Sequence, residues 1–177
     1  MKMFSMFTLA GLLLTGTAYA DVDFAGMKSK PPAGWKEEQP SNAMRLGQFK
    51  LPKAEGDPED AEIALFKFPG GSGTTDANLK RQLAKFKTPE GKAEPENTVG
   101  KVNVGKIEAT YQDVKGTFLS KFPPFAPNAK ITEKTEFRQL YVVFTNDTGD
   151  YYVSLLGPAK TVEKHKKDFE EWLKNFK

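Results

Sequence analysis

The stretch "LYVVFTNDTGDYYVSLL", Leu140 to Leu156, decides the fold. Two apolar runs flank a turn rich in Asn, Asp and Gly, the pattern of a β-hairpin. Alternate residues of a strand point to opposite faces, and in these runs both sets are apolar. Neither face is left for water, so the sheet needs a covering layer on each side. The same holds for "EIALFKF" (Glu62 to Phe68), where Ala64, Phe66 and Phe68 face one way and Ile63 and Leu65 the other. "AMRLGQFKL" precedes it across the acidic turn "PKAEGDPED", giving a second hairpin.

Two segments can supply the layers. Leu79, Leu83 and Phe86 recur at i, i+4, i+7 and predict a helix from about Thr75 to Lys87. At the C-terminus, Val162, Phe169, Trp172, Leu173 and Phe176 form an apolar stripe on a helix with Pro158 in its first position. Glu163 with Lys167 and Glu170 with Lys174 are its expected i, i+4 ion pairs. Between the helices, "VGKVNVGKIEATYQDVKGTFL" reads as a hairpin. Its apolar positions are odd at Ile107, Ala109 and Tyr111 but even at Val114, Gly116 and Phe118, which predicts a β-bulge near Gln112 or Asp113. "PPAGW" is an extended lead-in that brings Trp35 to the core. The expected order is β-β-α-β-β-β-β-α, an α+β fold with a largely antiparallel sheet covered by two helices. Its core should hold Trp35, Phe66, Leu83, Leu140, Val142, Phe144, Leu155, Phe169 and Trp172.

The chain begins "MKMFSMFTLAGLLLTGTAYA", with Lys2, an apolar run to Leu14 and small residues ending at Ala20. This is the pattern of a secretory signal peptide over residues 1–20, cleaved between Ala20 and Asp21. The apolar run is shorter than the roughly 20 residues that span a bilayer. No later segment is apolar enough to cross one, so the mature chain is expected in the periplasm or outside the cell. Residues 21–30 read as a tether and 31–177 as a single domain. Loss of Lys2 from the 26 basic residues leaves 25 against 23 acidic ones, a net charge of +2. That balance lacks the concentrated basic surface of a nucleic-acid binder. With no cysteine and one histidine, His165, neither disulfides nor Cys- or His-cluster metal sites are available. No cofactor is expected.

Three motifs carry possible chemistry. "GGSGTT" (Gly70 to Thr75) lies before a helix, as phosphate loops do, but it has no lysine beside its Ser or Thr, and Asp76 would repel phosphate. Its expected role is to start the helix, with Thr74 or Thr75 as cap. Asp147-Thr148-Gly149 matches an aspartic-protease triplet, yet Asn, Asp and Gly are equally what a hairpin turn needs. The acidic run Glu55, Asp57, Glu59, Asp60, Glu62 lacks the ligand spacing of an EF-hand.

Two surfaces remain as contact candidates. "SKFPPFAPNAK" (Ser120 to Lys130) has three prolines in five residues, which exclude it from the sheet interior, and two phenylalanines too apolar for an ordinary loop. Phe122, Pro123, Pro124 and Phe125, flanked by Lys121 and Lys130, either fold back as a lid or stand out as anchors for a partner. Lys80, Arg81, Lys85 and Lys87 give the first helix a basic side for an anionic envelope surface.

"PPAGW", "MRLGQFKLP", "EIALFKFPGGSGTTDANLKRQ", "IEATYQDVKGTF" and "LLGPAKTVEKHKKDFEEWLKNF" resemble a family of small exported bacterial proteins of uncharacterised function, from about Lys30 to the end. The element order also resembles the PsbP-like α/β/α sandwich shared by an extrinsic photosystem protein, a Ran-binding import factor and several periplasmic proteins. Members of that fold mostly bind other proteins, so the resemblance implies a non-enzymatic binding or accessory module contacting a protein or envelope component. The alternative is a hydrolase using Asp113, Asp147 or Asp150, which requires those acids to meet in one pocket.

Overall fold

The computed structural model describes residues 20–68, 70–123 and 126–177. The expected signal peptide, apart from Ala20, lies outside the described residues. After a hairpin of β1 (Val22–Phe24) and β2 (Met27–Ser29) come β3 (Lys36–Glu38), β4 (Arg45–Leu51), β5 (Ala61–Lys67) and α1 (Thr75–Leu83). Then follow β6 (Glu96–Val104), β7 (Ile107–Phe122), β8 (Lys130–Asn146), β9 (Gly149–Pro158) and α2 (Ala159–Lys174). Seven strands form one antiparallel sheet in the order β3-β4-β5-β9-β8-β7-β6. The expected order is present, with three short strands added before it.

The Leu140–Leu156 hairpin is the centre of the sheet, and its alternation runs as the doubly apolar pattern requires. Leu140, Val142, Phe144, Val153 and Leu155 join the core under α2, while Tyr141, Val143 and Tyr152 pack with Leu79, Phe66 and Phe68 on the α1 side. Trp35, Leu140, Val142, Phe144, Leu155, Phe169 and Trp172 are buried as expected. Phe66 and Leu83 are half-buried, because the α1 layer is short and leaves the margins of its face open.

No bulge occurs near Gln112. β6 pairs with β7 without a break from Glu96↔Lys115 to Val104↔Ile107, and alternation along β7 is strict. Odd residues face α2: Ala109 and Tyr111 pack into its core, and Asp113 meets Lys166 of that helix. Even residues face the other layer, where Gln112 bonds Leu79 O and Val114 packs on Phe86 and Phe137. The parity switch in the sequence thus records a change in which cover is apolar. The register does shift between Gly116 and Phe118, where Thr135 and Glu136 of β8 oppose Thr117 and Glu136 takes φ +55°.

The helices differ from expectation in detail. α1 ends at Leu83, and its buried residues are Asn78 and Gln82, with Leu79 and Leu83 only half-covered. Beneath it the sheet presents polar groups: Gln139 Nε2 donates to Gln82 Oε1 (3.1 Å) and to Ser154 Oγ (2.8 Å). Thr74 is the N-cap, its hydroxyl accepting from Ala77 N. α2 starts one residue later than expected, with Pro158 as its N-cap residue. Its first turn is held from outside, where Asp57 accepts from both Thr161 N (2.8 Å) and Thr161 Oγ1. The ion pairs along α2 are Lys166–Glu170 and Lys167–Glu171, because Glu163 turns to Arg138 instead.

Residues 21–30 are not a tether. β1 and β2 form a hairpin that drives Phe24 edge-on into Phe144, Tyr151 and Phe176, with centroids at 5.8, 5.2 and 6.1 Å. Asn146 Nδ2 donates to Ala25 O, Ser29 Oγ donates to Trp172 O, and the backbones of Lys28 and Lys177 exchange two hydrogen bonds. Val22, Ala25 and Met27 join Phe24 against the core and help anchor it. The C-terminus of α2 is also met by Gly105 in the β6–β7 turn, which has φ +57° and donates to Leu173 O. A Cβ there would stand 2.4 Å from Phe176 O, so only glycine fits.

Candidate functional site

β7 and β8 outrun their neighbours. β6 leaves β7 at Lys115 and β9 leaves β8 at Phe137, so Phe118–Phe122 and Lys130–Lys134 continue alone as a two-stranded arm. Its base is braced. The segment after α1 pairs with it through Lys87 N to Thr117 O (2.8 Å) and Leu119 N to Lys85 O (2.7 Å), while Phe118 lies between Phe86 and Phe137. Lys87 pairs with Glu133 at 2.8 Å, and Lys134 reaches Glu59 while its ammonium lies 5.2 Å from the Phe137 ring centre.

Among the described residues the tip carries no such bracing. Phe122 is 76% exposed and Ile131 53%, with Lys121, Pro123 and Lys130 exposed beside them. Between Thr117 and Thr132 the only charged residues are Lys121 and Lys130. Phe122 is therefore no lid on the core. Pro124 and Phe125 lie outside the described residues. Sequence reasoning passed over Ile131, although a single apolar residue in the polar run "KITEKTE" was the available signal.

The basic side of α1 is engaged locally. Lys80 pairs with Asp76 at 2.9 Å, and Arg81 ties back to Ser72 O and Asn78 Oδ1. Lys85 donates to Gln82 Oε1 at 2.7 Å, and the loss of hydration there, with Arg81 and Arg45 nearby, holds its ammonium below the usual lysine range. Lys87 belongs to the brace of the arm. These four residues do not converge into one free cationic surface.

The acids stay apart. Asp113 accepts from Arg138 Nε (2.8 Å) and Nη2 (2.6 Å) beneath α2. Asp147 lies in the β8–β9 turn, and Asp150 accepts from Thr145 Oγ1 at 2.6 Å. Asp113 pairs with Leu140 and Asp150 with Thr145, which separates them by about 17 Å at the rise of a strand. In the acidic run, Glu62 pairs with Arg45, Asp60 accepts from Lys53 N, and Asp57 caps α2. Among the described residues no group of carboxylates or imidazoles could hold a metal ion. His165 is a core residue, buried against Trp35 with Nε2 2.9 Å from Pro52 O. Burial also raises the phenol of Tyr111 well above its usual range, with Glu170 and Asp113 adding to the shift.

A shallow groove of about 250 Å³ runs between β6 and α2, lined by Lys101, Val102, Asn103, Tyr111, Glu170 and Lys174. No helix among the described residues is long and apolar enough to cross a membrane.

No protein-family model and no curated protein matches the chain. Among solved structures, the solution structure of CyanoP, the cyanobacterial PsbP of Synechocystis sp. PCC 6803, is similar over 96% of this chain and 98% of that one. The TM-score is 0.50 at 15% identity. The fold is PsbP-like.

Proposed function

We propose that the protein is an exported, non-enzymatic accessory module that docks a protein or envelope component through the tip of its β7–β8 arm. The reading rests on one observation: Phe122 stands 76% exposed at the end of a braced, projecting ribbon whose distal residues carry lysines and no acid. An apolar side chain held in water by a rigid support is pre-paid for binding, because little ordering remains to be done when a partner covers it. Lys121 and Lys130 add attraction to an acidic partner and make capture weaken with salt. The PsbP-like fold is compatible with an accessory role, though a fold by itself assigns none.

The test is capture from envelope extract by the wild type and by Phe122→Ser with Phe125→Ser. Phe122→Ser alone should keep its unfolding free energy to within about 0.5 kcal/mol, since that exposed side chain has little packing to lose, while capture by the double variant disappears. Captured partners should be recovered with a form of the protein whose first residue is Asp21, read by mass spectrometry. Undiminished capture by the double variant would refute the site.

A further inference from the structure

The outer edge of β6 is nine residues long and has no partner strand among the described residues. Its hydrogen-bonding direction follows from the turn before β7. Val104 pairs with Ile107 across Gly105 and Lys106, and of those two only the glycine has positive φ, as in a type II′ hairpin. Such a turn closes on a pair that exchanges hydrogen bonds, and the pairs then alternate along the ladder. Val104, Val102, Gly100, Thr98 and Glu96 accordingly bond to β7. Asn103, Lys101, Val99 and Asn97 aim their N–H and C=O groups away from the sheet. The neighbouring strand agrees, because odd-numbered Thr117 and Leu119 of β7 bond outward on that same side to Lys87 and Lys85.

The middle of β6 is bare on both faces. Residues 98–101 are all exposed, and a Cβ built on Gly100, the midpoint of the strand, would meet nothing within 4 Å. A glycine in a strand interior weakens the strand unless another backbone comes close to it.

We propose that β6 is a self-pairing edge, which joins two copies of this chain antiparallel about Gly100 into one sheet running through both. Self-complementarity selects a second copy as the occupant. Pairing about the midpoint is the register that engages all nine residues. It sets Val99 against Lys101 and Asn97 against Asn103, and these are the residues with outward-pointing backbone groups. Gly100 meets Gly100 in a non-hydrogen-bonded pair, where Cα atoms approach to about 4.5 Å. No like charges oppose each other, whereas centring on Lys101 would set lysine against lysine.

Charge supports the same register. Glu96 lies on the α2 side of the sheet, 3.3 Å from Lys115 and largely exposed. The groove at the opposite end of β6 lies on that side too, and Lys174 within it has no ion pair among the described residues. Antiparallel pairing brings Glu96 of the second copy opposite Val104, at the mouth of this groove and beside Lys174.

Sedimentation equilibrium of the purified protein tests the proposal. Val99→Pro removes an outward N–H without touching the β6–β7 ladder, and Lys101→Pro repeats this at the other outward donor; proline is accepted at such edge positions. The wild type should form a dimer that grows with concentration, and both variants should stay monomeric with unmoved thermal midpoints. Glu96→Lys should weaken the dimer by about tenfold or more, and adding Lys174→Glu should restore it. A wild type still monomeric at about 1 mM overturns the proposal. So does a dimer indifferent to both prolines, and so does unfolding of both proline variants, which would mean that these N–H groups serve β7. A dimer lost in Phe122→Ser but kept in Val99→Pro would assign the contact to the arm instead. Partner capture by a strictly monomeric protein would leave the docking role of the arm standing while this inference fell.

Discussion

At residue scale the most consequential side chain is Arg138, 5% exposed beneath α2. Its guanidinium forks onto Asp113 and reaches Glu163 with its remaining nitrogen, and Lys166 stands 3.8 Å from the same Asp113 carboxylate. Removing Asp113 strips a buried guanidinium of its two forked hydrogen bonds and leaves it only the largely exposed Glu163, so Asp113→Ala should cost about 3 kcal/mol. Glu163 contributes differently. The hydrogen bond and charge of Arg138 hold its carboxyl below the usual range. A depressed folded pKa gives stability that is present above the unfolded value, about 4.3, and is lost as pH falls through the folded one. Glu163→Gln should therefore lose less stability than wild type on acidification from about pH 5 to pH 3, by a modest amount because Glu163 is 69% exposed. Urea midpoints across that range check it, and parallel curves would contradict it. Nothing in the sequence marked Arg138, because its partners lie 25 residues away on either side and meet it only once β7, β8 and α2 are in register. Asp113 is a catalytic candidate by sequence, and its neighbourhood shows an ion pair with Arg138 instead.

At the scale of elements the two helices divide by how they are held. Trp172 of α2 is buried among Trp35, Phe49 and Phe176 at 5.4, 5.8 and 5.1 Å, contacts that add to the burial of each ring. Trp172→Ala should cost about 3 to 5 kcal/mol in denaturant unfolding, and a loss of a few tenths would refute the packing. The stripe on α2 was legible because an apolar face on a long helix has one reading. α1 was less so. Leu79, Leu83 and Phe86 suggested an apolar face, yet the helix buries Asn78 and Gln82, and Phe86 belongs to the bridge with Phe118. Asn78 shows why: its Nδ2 approaches the carbonyls of Ser72, Gly73 and Thr74, so one side chain closes the glycine turn from inside. Leu79 and Leu83 pack on aromatic and aliphatic side chains at the margins while Asn78 and Gln82 take the buried middle, and that polar half leaves no periodic signature. The same two-sided covering explains β7, whose parity change looked like a bulge and is a change of neighbour.

For the whole molecule, six of the seven strands of the sheet and its two covers were legible in the apolar patterns, whereas β3, the arm and the N-terminal hairpin were not. None of these is built on periodic burial. The arm is a ribbon without a core, and the hairpin is two three-residue strands whose largest contact is the Phe24 ring. Phe24→Ala should cost about 3 to 5 kcal/mol, because that ring fills the space between Phe144, Tyr151 and Phe176; an unchanged thermal midpoint would show the hairpin to be ornamental. The seat of the hairpin also sets an order of events. It is made of Asn146, Trp172, Phe176 and Lys177, the last of which exchanges backbone bonds with Lys28. The hairpin thus depends on residues more than a hundred positions later, across nearly the whole length of the domain. The hairpin has nowhere to dock until the C-terminal end of α2 is in place, and closing so long a loop is slow compared with forming local turns. The first strands consequently close late in folding, and the seating of the C-terminal end of α2, rather than any local step, is what shuts the domain.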